Sequence, residues 1–241
     1  TNLLSLHANI RTSLHNLLAI LFYICSTLVR KGDSHMADTL TFYTNPQSRG
    51  QVIRWLLEEL GQPYETVLLD YGTTMKAPDY LAINPMGKVP AITHGDQVVT
   101  ECAAICAYLA QAYPEAGLLP APEHRGAYFR WLFFGAGPLE AIFTTKALGW
   151  EVPADKQAMA GFGDADIAID TIAGAVDGKA FIAGDRFSAA DVYVGSLLDF
   201  MLNFKLLEPR PEFNAYLTSL RSRPAYVRAK EIDAALIAGN G

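Results

Sequence analysis

The chain has 241 residues, of which 51% are hydrophobic and 18% charged, so it is expected to fold as one large domain or two small ones rather than remain disordered. Its net charge is -6 and no run of five or more basic residues occurs, which argues against nucleic acid as the main partner. The three cysteines, Cys25, Cys102 and Cys106, provide neither a disulfide framework nor a zinc ligand set, and such usage is typical of a reducing, cytosolic setting.

Residues 1–35 differ in composition from the rest of the chain. The segment Leu14–Val29 is almost wholly apolar, basic residues flank it, and the first methionine is Met36. A membrane-spanning helix needs about 20 apolar residues, and this run is shorter. No small-residue cleavage site of a signal peptide follows it. We therefore expect residues 1–35 to be a tag, vector-derived or upstream-translated segment, with the functional protein starting near Met36. A membrane anchor is the alternative.

The first predicted elements after Met36 follow the order strand, helix, strand. The β-rich run LTFY (40–43) precedes a turn and an amphipathic helix, which Gly61 ends as a C-terminal cap. The segment YETVLLD (64–70) predicts the second strand, and this order implies parallel pairing. The helix is predicted from apolar residues at helical spacing: Val52, Ile53, Leu56, Leu57 and Leu60.

A hairpin and a further helix complete the first predicted domain. Pro90 stands just before an apolar strand, HGD (94–96) forms a tight turn, and a second strand returns. A helix follows from about Glu101. We expect this domain to span 36–114, and we expect the segment 115–125, rich in proline, glycine and polar residues, to be a linker.

The remaining residues, 126–241, predict helices only. An aromatic-rich helical stretch is interrupted near Gly135–Pro138, and four further helices follow. One of them begins with a capping box, in which Ser188 is the N-cap and Asp191 the third helical residue. The second domain is therefore expected to be all-α.

This arrangement resembles the cytosolic glutathione transferases, of a bacterial type with serine favoured as the catalytic residue, over about residues 39–238. The resemblance implies an α/β thioredoxin-like N-terminal domain followed by an all-α helical C-terminal domain. It is carried by three motifs: NPMGKVPAI (84–92), TECAAICAYL (100–109) and GDRFSAADVYVG (184–195). The third motif contains the capping box, which in this family supports folding and not catalysis.

The first two motifs imply a glutathione-binding site. In the family, the bond matching Val89–Pro90 is cis, and the residue before the proline pairs through its backbone with the cysteinyl part of glutathione. The acid matching Glu101 faces the γ-glutamyl amine, and a serine with the helix N-terminus holds the γ-glutamyl carboxylate. Here Cys102 replaces that serine, and we expect a weak donor there, rather than a nucleophile or a purely apolar residue. The resemblance also implies that Lys88 belongs to the glutathione-binding residues.

The thiol of glutathione must react as a thiolate, which requires a donor or cation near the sulfur. The resemblance places this group in YTNPQSRG (43–50), between the first strand and the first helix. Ser48 is the first candidate, because serine-type relatives carry a hydroxyl at the start of this helix, and a plain helix cap is its alternative role. Arg49 is the second candidate, as a fixed cation. Tyr43 is the third, from alignment with tyrosine-type transferases.

The resemblance also implies the substrates and partners. They are glutathione as co-substrate and a small, largely apolar electrophile, with no tightly bound cofactor, no metal, and no nucleic-acid or membrane partner. The protein is expected to be a cytoplasmic homodimer. Two alternatives stay open: glutathione-dependent reduction of peroxides or disulfides, and a non-catalytic binding or assembly module. The first helix lacks a cysteine, which excludes a thioredoxin-type C-x-x-C mechanism.

Overall fold

A computed structural model describes residues 39–239 of the chain. The expectations for residues 1–35, including the alternative of a membrane anchor, and the expected start near Met36 lie outside these residues. Within 39–239, no helix is both long enough and apolar enough to cross a membrane.

A four-stranded mixed sheet forms the centre of the N-terminal half. Its spatial order is β2-β1-β3-β4, with β1 parallel to β2 and antiparallel to β3, and β3 antiparallel to β4. The predicted strand–helix–strand order and the hairpin are both confirmed. The strands are β1 (Leu40–Thr44), β2 (Glu65–Leu68), β3 (Ala91–His94) and β4 (Gln97–Thr100).

Three helices belong to this half between residues 39 and 114, and the first begins directly against the sheet. A Cβ on Gly50 would lie 1.9 Å from Oγ1 of Thr44, so only glycine allows this close approach. The same helix ends at Gly61, whose φ of 65° is a left-handed conformation that glycine adopts without steric cost. The predicted apolar stripe between these two glycines is buried. The helices are α1 (Gly50–Leu60), the short α2 (Pro78–Leu81) and α3 (Cys102–Ala112).

The C-terminal half is helical throughout its described part, as predicted. The interruption expected near Gly135–Pro138 is a π-helical segment, Gly135–Leu139, between α4 and α5. A Cβ on Gly135 would lie 2.8 Å from Cε1 of Tyr193, so the absent side chain lets this segment pack closely against α7. The helices are α4 (Arg125–Phe134), α5 (Glu140–Leu148), α6 (Ala165–Val176), α7 (Ala189–Asn203), α8 (Pro211–Arg221) and α9 (Pro224–Gly239).

The start of α7 carries the predicted capping box. The backbone N–H and the hydroxyl of Ser188 donate to Oδ2 of Asp191 at 2.9 and 3.0 Å. The other oxygen, Oδ1, accepts the backbone N–H of Ile182 at 2.7 Å and the hydroxyl of Tyr216 at 2.8 Å. Asp191 is fully buried, and these four donors tie α7 to α8 and to the segment that precedes α7.

One hydrophobic core joins the sheet to the helical half. Side chains from β1, α1 and α3 pack in the same cluster as side chains from α7 and α8, and this fixes the sheet relative to the helices. Short 3-10 turns at Pro114–Ala116 and Pro122–His124 lie at the two ends of the expected linker 115–125. The division into domains 36–114 and 126–241 stays a prediction. Core members that are at most 2% exposed include Phe42, Trp55, Ile105, Leu197 and Leu217.

Candidate active site

A cleft of about 330 Å³ lies between the N-terminal half and the start of α5. Its walls come from the turn before α1, the loop before β3, the start of α3, the π-helical segment and α7. The structure brings six of the eight sequence-predicted site residues into this lining: Arg49, Lys88, Val89, Pro90, Glu101 and Cys102.

The loop before β3 is held in place by side chains that point at its backbone. The Val89–Pro90 peptide bond is cis, as the resemblance implied. The carbonyl of Lys88 accepts hydrogen bonds from Nδ2 of Asn84 at 2.8 Å and from the hydroxyl of Tyr80 at 2.5 Å. Asn84 is buried and lines the cleft, and the sequence analysis did not identify it. Its position at the start of the NPMGKVP turn is the local signal that could have done so.

The start of α3 supplies an acid and a helix N-terminus. Glu101 directly precedes the helix and has a φ of 69°, a left-handed conformation that is rare for residues other than glycine. Such backbone strain costs about 1–3 kcal/mol and persists where the surrounding structure enforces it, often at ligand sites. The first N–H groups of an α-helix lack intrahelical partners and form a natural carboxylate site. The exposed Glu101 side chain and these N–H groups therefore lie side by side in the cleft lining.

Cys102 is a protonated thiol in this environment. Burial raises the pKa of Cys102 to about 12, the Arg49 guanidinium opposes this rise in part, and the carboxylates of Glu140 and Glu101 add to it. The thiol donates a weak hydrogen bond to the carbonyl oxygen of Arg49 at 3.8 Å. These observations argue against a nucleophilic thiolate at neutral pH. The expected donation to a γ-glutamyl carboxylate stays a prediction.

Arg49 brings a positive charge into the cleft from the residue just before α1. Its Nη2 donates to Oε2 of Glu140 at 2.8 Å, and its guanidinium lies over the rings of Phe143 and Phe200 at 4.6 and 5.0 Å. Its Nη1 is buried and has no hydrogen-bond partner among residues 39–239. Burial raises the pKa of Glu140, Arg49 opposes that rise, and Glu101 adds to it. Glu140 lies 91 positions from Arg49 in the sequence, so no local pattern could have identified the pair.

The other two catalytic candidates are not among the lining residues of the cleft. The hydroxyl of Ser48 donates to the carbonyl of Asn45 at 2.6 Å and accepts the N–H of Gly50 at 2.9 Å, so both roles of the hydroxyl are used in the turn that leads into α1. Tyr43 packs beside Tyr80, with ring centroids 5.7 Å apart. The catalytic roles of Ser48 and Tyr43 stay predictions. Of the three candidates, Arg49 is the one that lines the cleft.

The fold and the cleft together define a class of protein: a thioredoxin-like α/β domain, with a cis-proline loop beside a helix N-terminus, joined to an all-α domain. Two family models match this chain. The model of the glutathione S-transferase N-terminal domain matches residues 38–111, and that of the glutathione S-transferase C-terminal domain matches residues 138–224.

Individual proteins agree with these matches. A glutathione S-transferase of Xanthomonas campestris pv. campestris is 30% identical over 165 residues, which cover 64% of this chain and 79% of that protein. The crystal structure of a glutathione transferase from Methylococcus capsulatus superposes with a TM-score of 0.68 and 29% identity, covering 81% of this chain and 99% of the other. A glutathione transferase homologue from Sulfitobacter, solved with bound glutathione, has a TM-score of 0.66 and 25% identity, covering 80% and 97%. The chain belongs to the glutathione S-transferase family, and it is a glutathione transferase enzyme.

Proposed function

We propose that this enzyme joins the sulfur of glutathione to a small, largely apolar electrophile, and that Arg49 is the residue that acts on the sulfur. The observation that carries the proposal is the placement of Arg49 in the cleft wall, where 22% of its side chain is exposed. A permanent cation in a partly buried wall favours an anionic partner, because charge-assisted hydrogen bonds are stronger there than in water.

The rest of the cleft fits the tripeptide. The backbone of Val89, before the cis proline, is the partner for the cysteinyl backbone of glutathione. The carboxylate of Glu101 suits the γ-glutamyl amine, and the N–H groups at the start of α3 suit the γ-glutamyl carboxylate. Lys88, whose side chain is exposed at the rim of the cleft, attracts the remaining carboxylate of the substrate.

The chemical step needs a proton to leave the sulfur before a bond forms. A free thiol has a pKa of about 8.5, and a neighbouring cation lowers it. The thiol proton passes to solvent, the thiolate attacks the electrophilic carbon, and a sulfur–carbon bond forms. In a substitution, the leaving group departs with its bonding electron pair. In an addition, the electrons of the attacked double bond move to the neighbouring atom, which then takes a proton from solvent.

The electrophile is expected to lie against the aromatic side chains beside Arg49. Phe143 and Phe200 contact the guanidinium, and Phe204 packs with both of them at centroid distances of 6.5 and 6.1 Å. Phe204 is 64% exposed, so this cluster extends from Arg49 to solvent. An aromatic surface of this kind favours an apolar substrate.

The proposal includes a homodimer in the cytoplasm. Phe129 and Phe133 are exposed by 43% and 71% and lie one turn apart on α4, which places two large apolar side chains on one helix face. Exposed apolar surface of this kind is typical of an interface. The cytoplasmic location rests on the cysteine usage of the chain.

The alternatives are less well supported. Disulfide exchange through a thiolate of the protein is not supported, because the cleft cysteine, Cys102, is held as a thiol. A non-catalytic module is not favoured, because the similar proteins are glutathione transferases.

The test is the pKa of the thiol of bound glutathione, followed by the ultraviolet absorbance of the thiolate as the pH is raised. Arg49→Ala is expected to raise this pKa by about one unit or more, because an adjacent opposite charge shifts a pKa by that amount. Arg186→Ala, which removes an exposed arginine outside the cleft lining, is the matched control and should leave it unchanged. If Ser48→Ala or Tyr43→Phe raises the pKa and Arg49→Ala does not, the assignment of Arg49 is wrong.

A further inference from the structure

Glu140 is the counter-ion that the structure provides for Arg49. It is the first residue of α5, its side chain is 30% exposed, and it lines the cleft together with Arg49. The pair spans the two halves of the protein, since Arg49 precedes α1 and Glu140 belongs to the helical half. It therefore lies in the cleft wall where the two halves meet.

The helix geometry places Glu140 at this point. The π-helical segment Gly135–Leu139 immediately precedes it and contains Pro138. Such segments shift the side chains that follow them around the helix axis and occur often at functional sites. Ala136, within the segment, also lines the cleft, so the altered turn and Glu140 face the same space.

The guanidinium of Arg49 has two independent supports. One is the hydrogen bond to Glu140, and the other is its position over the rings of Phe143 and Phe200. The ring contacts hold the guanidinium in place when the charge of Glu140 is removed, provided that a hydrogen-bond acceptor of the same size remains. The charge of Glu140 can therefore be changed with little change in geometry.

We propose that the carboxylate of Glu140 offsets part of the positive charge that Arg49 places near the sulfur of glutathione, and so sets the balance between the abundance and the reactivity of the thiolate. This inference rests on the proposed function of Arg49. With Glu140 ionised, part of the field of the guanidinium is neutralised, and the thiolate is formed less readily but keeps more of its basicity. A thiolate becomes a weaker nucleophile as its basicity decreases. The ion pair therefore gives less thiolate, but the thiolate that forms is more reactive.

The variant Glu140→Gln keeps the size and the hydrogen-bond acceptor and removes the charge. It is expected to lower the pKa of the bound glutathione thiol by about half a unit to one unit, the order expected for charges several ångströms apart. Turnover should then rise at acidic pH, where thiolate abundance limits the rate. It should fall about twofold to threefold at alkaline pH, where the reactivity of the thiolate limits it.

The experiment is a double-variant cycle on the pKa of bound glutathione, with Glu140→Gln made in the wild-type and in the Arg49→Ala background. Because the ring contacts keep the guanidinium in place, the two charges act on the sulfur independently, and the shift caused by Glu140→Gln should agree within about twofold in the two backgrounds. Glu151→Gln removes an exposed acid outside the cleft lining and should change nothing. If Glu140→Gln is not recovered folded, Glu140→Ala is expected to give the same sign and runs the same cycle.

Two results would overturn the inference: no shift with Glu140→Gln, or a shift in the wild-type background alone, which would mean that Glu140 acts by holding the guanidinium in place and not through its charge. Failure of the proposed function has a different signature, since Arg49→Ala alone would then leave the thiol pKa unchanged. A role for Glu140 in stability alone would change the melting temperature without moving the thiol pKa or the pH profile.

Discussion

Asp191→Asn replaces a buried carboxylate by an amide of the same size, so its effect on stability comes from hydrogen bonding and charge and not from a cavity. Each oxygen of Asp191 accepts one backbone N–H and one hydroxyl, from Ile182 and Tyr216 on one side and from Ser188 on the other. An amide has a single acceptor oxygen. Whichever way it is oriented, its NH₂ group faces one of these donor pairs.

The cost follows from that geometry. The hydroxyl of the affected pair can turn to accept from the NH₂ group, but the backbone N–H cannot, and a stranded buried donor costs about 1–3 kcal/mol. The remaining bonds lose charge assistance, about 1 kcal/mol between them. Burial raises the pKa of Asp191, so removal of the charge relieves some desolvation. The net expected loss in the free energy of unfolding is about 3 kcal/mol.

The matched control is Asp164→Asn at the start of α6. Asp164 also caps a helix, but it does so in an exposed setting, by accepting the N–H groups of Asp166 and Ile167 at 2.8 and 3.1 Å. Asparagine caps helices as well as aspartate, so this change should cost less than about 0.5 kcal/mol. Urea titrations of both variants at one protein concentration measure the difference. If the free energy of unfolding of Asp191→Asn lies within about 1 kcal/mol of the wild-type value, with an unchanged m-value, the hydrogen bonds of Asp191 do not stabilise the fold as described.

Three further changes test other parts of the structure. Asp233→Ala leaves the 2%-exposed Arg54 without its partner at 3.3 Å and should cost about 3–5 kcal/mol in a urea titration; a near-neutral result would show that the pair is dispensable. Cys102→Ala should preserve turnover, because a thiol with a pKa of about 12 is not ionised at neutral pH, and abolished turnover would instead identify a nucleophile. Phe133→Glu should convert the proposed dimer to monomers in light scattering, and an unchanged dimer mass would place the interface elsewhere.

Local sequence patterns predicted the elements that local physics determines. The stripe of α1 at helical spacing, the hairpin turn before β4 and the capping box of Ser188 and Asp191 all depend on residues within a few positions of one another. The ends of the elements were predicted less accurately than their type and order. The second strand, predicted as 64–70, is Glu65–Leu68 in the structure, because its ends are set by pairing with β1, a neighbour that the local sequence does not reveal.

The site was predicted only where it lies on contiguous motifs. The cis-proline loop and the acid before α3 were found because each is a short segment with a known counterpart. Ser48 does not line the cleft, and its hydroxyl instead bonds within the turn before α1, where the Asn45 carbonyl lies 2.6 Å away. The path of that turn could not be predicted from the local sequence. Glu140 comes to Arg49 only through the packing of the two halves. Contacts between residues far apart in sequence leave no periodic signal in a single chain.

The contacts of α1 connect stability with the site. Arg49, just before its first turn, bonds to Glu140 of α5, and Arg54, in its second turn, pairs with Asp233 of α9. Both partners belong to the helical half, so α1 is held from that side as well as by the sheet, where Arg54 also bonds to Thr66 of β2 at 2.9 Å. The cis-proline loop, by contrast, is held by Asn84 and Tyr80 from within it. The position of the Arg49 guanidinium in the cleft therefore depends on the packing of one half on the other as well as on contacts within the N-terminal half.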